Sequence, residues 1–317
     1  MDISIIIVSW NVRELLRQCL RTVDSGQWIV NSSLPTTHHP QSTEIIVVDN
    51  ASSDGTVEML RAEFPDVRVI VNDENVGFTR ANNQALAVAQ GRYLFLLNPD
   101  TELRANALQT LFDYAEAYPR VGMIGPQLFY GDGTRQSSRR RFPTLATAFL
   151  ESTILQQWFP RHRILTRYYM LDTRDDVTQE VDWINGSAMF TRRGVYEQIG
   201  GLDEEFFMYS EELDWCYRIK QAGWKIVYLP TAQITHYEGK SSEQAMAQRD
   251  IYFNTSKVRY FRKYRGALIA EILRAFLLLT FVYRIAEECF KWLLGHKRAL
   301  RAQRVKADWR VLKSGLK

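Results

Sequence analysis

Four apolar runs mark the first hundred positions, at residues 3–8, 44–48, 67–71 and 93–97. Short runs of this kind, bounded by Gly, Pro, Asn and Asp, read as strands buried on both faces. Between the runs the period lengthens. Leu15, Leu16, Cys19, Leu20 and Val23 share one face of a helix over 12–23. Ala81, Ala85, Val88 and Ala89 do the same over 79–90, with Gly91 as the stop, and a short helix reaches Phe64. The resulting order, βαβαβαβ, calls for a parallel sheet with right-handed crossovers and helices on both faces.

Farther on, the pattern predicts a helix over 105–118 and a strand over 121–129, broken at Gly125-Pro126. A strand over 181–190 follows, then a helix to Ala222 with Ser210 as its N-cap and Gly223 as its stop. Short strands at 225–229 and 233–235 lead to His236. Two stretches depart from the alternation. Residues 24–43 are an aperiodic polar loop in which the neighbouring His38 and His39 are only a weak metal signal. Residues 134–174 open on Arg135, Arg139, Arg140 and Arg141 and turn apolar from Phe142 to Phe159. They read as an inserted amphipathic segment, either a flap or a helix packed on the core. The expected organisation is a catalytic domain over 1–256, with that insert, and a helical tail over 257–317.

Charge changes the picture of the tail. The whole chain carries +4, but residues 257–317 hold sixteen Lys/Arg against four Asp/Glu, so about +12 lies there and the rest is acidic. The longest clean apolar run in the tail, 275–283, is far short of the ~20 residues that span a bilayer. Apolar faces with basic flanks suit helices lying in the interface of an anionic membrane; the alternative is a helical pair packed on the catalytic domain. No nucleic-acid motif accompanies the charge. Three scattered cysteines, Cys19, Cys216 and Cys289, argue against a disulfide framework and fit a reducing compartment. The start has no signal-peptide pattern, because Asp2 and Ser4 interrupt an apolar run that is itself too short.

The candidate chemistry sits where the strands end. The run 93–97 passes straight into Asn98-Pro99-Asp100. Pro99 stops ladder pairing, which leaves a short carboxylate just past the carboxyl end of a central strand, where open α/β sheets bind ligands. Asp49 ends the second strand in the same way, and Glu211-Glu212 open a helix whose positive end suits them whether or not they are catalytic. Asp214 crowds a third negative charge into that turn. With His236, these carboxylates suit a hard divalent cation, Mg2+ or Mn2+, holding a phosphorylated ligand. No glycine fingerprint for a dinucleotide follows the first strand.

Seven stretches, in order, resemble the inverting glycosyltransferases of family 2, which have the GT-A fold, and in particular their rhamnosyltransferase-like members. They are residues 4–11, 44–56 (EIIVVDNASSDGT), 75–85, 97–103 (LNPDTEL), 185–202, 206–223 and 236–242 (HYEGKSS). The resemblance implies a mixed, mostly parallel sheet with helices on both faces and a C-terminal helical extension. It also implies transfer of a sugar from a dTDP-, UDP- or GDP-linked donor to a glycan or lipid-linked acceptor, at the cytoplasmic face of the cell membrane. Ser9, Trp10 and Asp49 would hold the base, with Asn11, Asn75 and Gly77 also on the donor side and Arg80 near the base or phosphates. Asn98 would lie near the ribose, Asp100 would bind the metal, and His236 would be a further metal or diphosphate ligand. Glu212, or its neighbour Glu211, would deprotonate the acceptor hydroxyl, with Asp214 and Trp183 on the acceptor side. Many relatives have Asp where this chain has Glu212. A nucleotidyltransferase would share strand-end carboxylates and metal but ordinarily shows a Gly-rich basic loop after the first strand, which Ser9-Trp10-Asn11 is not. A non-catalytic nucleotide- or glycan-binding protein would not need Asp100, Glu212 and His236 together.

Overall fold

A computed structural model describes residues 1–24, 42–237 and 246–317. His38 and His39, most of the 24–43 loop and the end of the 236–242 stretch lie outside the described residues. In chain order the elements begin β1 (Ile3–Ser9), α1 (Arg13–Asp24), β2 (Thr43–Asp49), α2 (Thr56–Glu63), β3 (Arg68–Val71), α3 (Phe78–Val88), β4 (Tyr93–Leu97), β5 (Thr101–Leu103) and α4 (Ala107–Ala117). They continue as β6 (Val121–Phe129), β7 (Arg135–Gln136), β8 (Arg139–Arg140), α5 (Leu145–Leu150), α6 (Ile154–Trp158), α7 (Arg163–Tyr168), β9 (Gln179–Glu180), β10 (Trp183–Ile184), β11 (Ala188–Arg192) and α8 (Arg193–Ile199). The last are α9 (Glu211–Gln221), β12 (Lys225–His236), α10 (Met246–Arg265), α11 (Ala267–Leu293) and α12 (Arg298–Ser314).

Two compact units divide the chain. The first comprises residues 1–142, 172–205 and 212–241 and holds all the strands. Its main sheet runs β3-β2-β1-β4-β11-β6-β12-β5. The first four strands pair in parallel, as the sequence pattern predicts. Every residue of β1 and β4 is buried. Ile3, Ile5 and Ile7 join one hydrophobic cluster with Leu16 and Leu20 of α1 and Leu111 and Phe112 of α4. The alternate residues Ile6 and Val8 are buried on the opposite face, and α3 buries Ala81, Ala85 and Leu86 beside Thr79 and Asn82. This two-sided burial is why β1 and β4 read as continuous apolar runs rather than as alternation.

Direction reverses at β4. Its second neighbour, β11, is antiparallel, with Ala188 opposite Leu97 and Phe190 opposite Phe95. Tyr93 and Phe190 stack at 5.0 Å between ring centroids, and Phe95 meets Phe190 edge-on at 5.7 Å. The strand expected over 181–190 is in fact two, β10 and β11. Asn185 Oδ1 accepts from the Ser187 amide at 2.9 Å, and this side-chain turn breaks the run.

Two other expected breaks are absent. β6 runs through Gly125-Pro126 without interruption. Pro126 sits where the strand exchanges one neighbour for another, since pairing with β11 covers Met123 and Ile124 and pairing with β7 covers Leu128 and Phe129, so its missing N–H costs no ladder bond there. The segments 225–229 and 233–235 form one strand, β12, with an irregularity between Leu229 and Gln233. The basic cluster of the insert is spent internally: Arg135 pairs with Asp175 at 2.5 Å, Arg141 with Asp172 at 2.8 Å, and Arg139 donates to the Thr173 carbonyl at 2.9 Å.

The second unit comprises residues 143–171, 206–211 and 242–317, so it joins α5–α7 of the insert with the tail helices α10–α12. Phe149 meets Phe276 edge-on at 5.1 Å, and the buried Lys257 ammonium donates to the Glu151 carbonyl at 2.5 Å and to its carboxylate at 3.0 Å. Part of the tail's charge is neutralised within it. Arg301 grips Glu288 with contacts of 2.9 and 2.8 Å, and Arg284 reaches Asp308 at 2.8 Å. Burial pushes the Asp308 carboxyl up to about 6 against the pull of Arg284.

Phe190 anchors the reversal of direction. Phe190→Ala is expected to destabilise the chain by about 3–5 kcal/mol, read as a lower urea midpoint with an unchanged slope. A midpoint within error of the parent would show that this stack does not hold β4 against β11.

Candidate active site

Ser9 and Asp49 stand opposite each other at the ends of β1 and β2. Asp49 is fully buried; Oδ2 accepts from the Ser52 amide at 2.9 Å. Asn11, in the left-handed region at φ 52°, ties the two strand exits together: its amide donates to Ser52 Oγ at 2.9 Å and its Oδ1 accepts from the Ser53 amide at 2.8 Å. The exposed Trp10 sits at the same strand exit. The residue just past β2, Asn50, organises the loop that follows β3. Its Nδ2 donates to Asn75 Oδ1 at 2.9 Å, and its Oδ1 accepts from Asn72 Nδ2 and from the Val76 amide, both at 3.1 Å. Gly77, at φ 89°, lets that loop turn into α3.

The turn after β4 is fixed from three sides. The Asn98 amide donates to the Ser187 carbonyl at 2.9 Å, Thr101 Oγ1 donates to the Asn98 carbonyl at 2.7 Å, and the Tyr237 amide donates to the Asp100 carbonyl at 2.9 Å. Beneath it lies Cys19, whose thiol burial pushes up to about 12, so it stays protonated and inert. Pairing of β5 with β12 sets Thr101 opposite His236 and thereby brings His236 to Asp100. Both side chains are buried, and His236 Nε2 lies 3.3 Å from Asp100 Oδ1. The other ring nitrogen, Nδ1, is 2.9 Å from Gln136 Oε1. An amide oxygen only accepts, so with Oε1 facing it Nδ1 would carry the proton, and a neutral ring would leave a lone pair on Nε2, aimed at Asp100. No hydrogen bond joins Nε2 to Asp100 Oδ1. Two lone pairs that close call for a proton or a cation between them.

Glu212 is half-buried on α9 and lies against Gly186. A Cβ built at 186 would stand 3.4 Å from both Cβ and Cγ of Glu212, an ordinary van der Waals contact, so the backbone of Gly186 lies directly beneath that side chain. Gly186 precedes Ser187, whose carbonyl holds the Asn98 amide. Glu212 is thus linked through two residues to the turn that carries Asp100. Glu211 is buried instead. Just before α9, Tyr209 and Ser210 have φ of 69° and 64°, a strained approach for residues with side chains. Asp214 is fully buried and bound to Arg218 at 2.8 Å, and Arg218 in turn donates to the carbonyls of Ile199 and Gly201 at 2.9 and 2.7 Å. Trp183 donates through Nε1 to the Arg141 carbonyl at 2.9 Å. Arg80 is exposed and turned toward Glu204 at 3.2 Å. Among the described residues no group of three or more His, Cys, Asp or Glu side chains is gathered around a common point.

Among the described residues, Ser9 Oγ, Asp49 Oδ1, Thr79 Oγ1, Asn98 Oδ1, Asp100 Oδ1 and Ser187 Oγ are buried without a hydrogen-bond partner. Each such atom costs roughly 1–3 kcal/mol unless something polar comes to it. Most lie at the carboxyl ends of β1, β2 and β4 or beside them. The strand-end pattern points to Asp49 and Asp100 and the family resemblance to Ser9 and Asn98; neither singles out Asn50, Gln136, Gly186 or Ser187. Asn50 follows a strand-end Asp, a usable hint. Gln136 has none, since its role exists only through a partner 100 positions away.

A mixed sheet with a polar cleft at the strand ends fits the GT-A fold of glycosyltransferases. The glycosyl transferase family 2 profile matches residues 4–200, and the chain belongs to that family. It is 30% identical over 209 residues to the N-acetylglucosaminyl-diphospho-decaprenol L-rhamnosyltransferase of Mycobacterium tuberculosis, covering 62% of this chain and 67% of that protein. It is 28% identical over 201 residues to the rhamnosyltransferase WbbL of Escherichia coli, covering 60% of this chain and 71% of that one. Among solved structures, GalNAc-T7 with UDP, GalNAc and Mn2+ superposes with a TM-score of 0.56 at 15% identity. That superposition covers 83% of this chain but 48% of GalNAc-T7, so the chain spans about half of it.

Asn50→Ala removes the side chain that ties the 72–77 loop to β2. The expected result is a loss of roughly 1–3 kcal/mol and faster amide exchange confined to residues 72–78 by mass spectrometry. Unchanged exchange there would remove Asn50 from this role.

Proposed function

We propose that this glycosyltransferase moves a sugar, with inversion, from a nucleoside-diphosphate donor to a hydroxyl of a cell-surface glycan or lipid-linked acceptor. The observation that carries the reading is the close link between Glu212, Gly186, Ser187 and the Asn98–Asp100 turn, which sets one carboxylate near the end of β4. Ser9 and Asp49, with unspent polar atoms, form the pocket for the base, and Asn98 and Ser187 offer theirs toward the ribose and diphosphate. Arg80 would have to leave Glu204 to reach the donor; both are exposed, so that pairing costs little to break.

Asp100 and His236 fit a divalent cation: one carboxylate oxygen without a hydrogen-bond partner and one imidazole lone pair, both buried and converging. Two protein ligands leave room for diphosphate oxygens and water, and imidazole beside carboxylate favours Mn2+ over Mg2+. When bound, such an ion neutralises the charge that develops on the leaving diphosphate. Glu212 takes the proton of the acceptor hydroxyl as it attacks the face opposite the diphosphate. One base and one displacement invert the anomeric centre. Rhamnose is the sugar we propose, because two relatives are named for its transfer. The first of them is also named for a diphospho-decaprenol carrier, which supports a lipid-linked acceptor here.

The tail supports work at a membrane surface. Leu268, Ile272, Leu279, Val282, Phe290 and Leu293 are all exposed and fall on one stripe of α11. Exposed Arg265 stands at one end of the stripe and exposed Lys297 and Arg298 at the other. No described helix is long and apolar enough to cross a membrane. An apolar face between basic ends suits a helix lying in an anionic interface. Pairing two copies along the stripe would bring basic ends together in either direction.

Glu212→Gln should keep donor binding, read as a thermal shift with the nucleotide sugar and Mn2+, while transfer falls by about 10²–10⁴-fold. If Glu211→Gln gives that pattern instead, the base is the other residue; if neither does, the acid–base reading fails. For the tail, the double variant Ile272→Glu, Leu279→Glu should lose co-sedimentation with anionic liposomes while transfer to a water-soluble acceptor persists. Co-sedimentation equal to the parent would refute the interfacial helix.

A further inference from the structure

We infer that Gln136 is a positioning residue: its side-chain carbonyl holds the proton of His236 on Nδ1 and so keeps the Nε2 lone pair facing Asp100. The inference rests on the proposed cation site and adds the group that makes its imidazole a ligand. His236 is 6% exposed, Asp100 5% and Gln136 4%, so water does not compete for these contacts. The 2.9 Å contact from Nδ1 to Oε1 is short and buried. Imidazole ligands ordinarily have the second nitrogen fixed by an acceptor, and loss of that acceptor typically costs about 10–100-fold in metal affinity.

The fold gives Gln136 little freedom. β7 holds it opposite Leu128 of β6. Gln127 Nε2 donates to its backbone carbonyl at 3.2 Å, and Gln127 Oε1 accepts from the Tyr228 hydroxyl. Tyr228 belongs to β12, the strand that ends in His236. Gln127, Gln136, Tyr228 and His236 are all buried and lie on three paired strands. If the Gln136 amide were reversed, its NH2 would donate to Nδ1. The proton would then lie on Nε2, and His236 would close a hydrogen bond onto Asp100. The site would be sealed against a cation. The amide orientation therefore decides whether the pair is a cation site or a closed hydrogen bond.

Two replacements separate positioning from packing. Methionine matches glutamine in length but cannot take the Nδ1 proton well; glutamate has only acceptors and holds that tautomer outright. Positioning predicts that Gln136→Glu retains Mn2+ binding and Gln136→Met weakens it about 10–100-fold, measured with Mn2+ alone by counting the free ion in electron paramagnetic resonance. A packing role predicts the reverse order, because a buried charge disrupts and a thioether fills. The second measurement needs no metal and is read on the parent protein. Nitrogen-15 spectra of histidine-labelled parent protein above pH 8, with the His236 signal assigned by its loss in His236→Gln, should show the proton on Nδ1. A proton on Nε2, or equal Mn2+ affinity in Gln136→Met, overturns the inference. A parent that shows the Nδ1 tautomer yet binds no Mn2+ overturns the cation reading and leaves the positioning of His236 standing.

Discussion

A single backbone hydrogen bond, from the Asn98 amide to the Ser187 carbonyl, sits where the sheet changes direction, and the site depends on it. In the parallel half, β1, β2 and β4 all deliver their carboxyl ends to one edge. β11 runs the other way, so its beginning, not its end, arrives at that edge. The reversal brings residues 185–187 to the edge where β1, β2 and β4 end. It also places Gly186 under α9, which carries Glu212. An all-parallel continuation would have brought a strand end there and left the Glu212 side chain without its floor. The aromatic stack of Tyr93, Phe95 and Phe190 lies directly behind, so the hydrophobic core and the polar cleft are set by the same pair of strands.

Much of this architecture is legible in the amino-acid order. Two-sided burial makes β1 and β4 continuous apolar runs, and periodicity then fixes the helices between them. Strand-end polar residues follow directly, because a run must stop where the core stops, and Asp49 and Asp100 stand at those stops. What stays hidden is whatever depends on partners distant in sequence. The split between β10 and β11 comes from one side-chain turn at Asn185. The continuity of β6 through Pro126 depends on where its neighbours exchange. The arginines at 135–141 look like a patch and are mostly absorbed by Asp172, Thr173 and Asp175. Gln136 sits among them and carries no pattern of its own.

The tail illustrates the difference between net charge and available charge. Its formal excess of cations suggests a uniformly basic surface. Glu288 and Asp308 take up Arg301, Arg304 and Arg284, so the buried side of the helices is close to neutral. The ends of α11 keep exposed cations, and the stripe between them is apolar. That division, apolar in the middle and cationic at the tips, is a pattern of position rather than amount, and composition alone does not contain it.

Gly186 has a consequence for how residue 212 can vary. The floor beneath Glu212 is bare backbone, and a methyl there would already stand at contact distance. The contact is with Cβ and Cγ, which aspartate and glutamate share, so alanine at 186 would be tolerated under either acid, while a larger side chain would press on the stem and tilt the carboxylate. Residue 186 therefore sets the direction in which the acid points, and residue 212 sets how far it reaches.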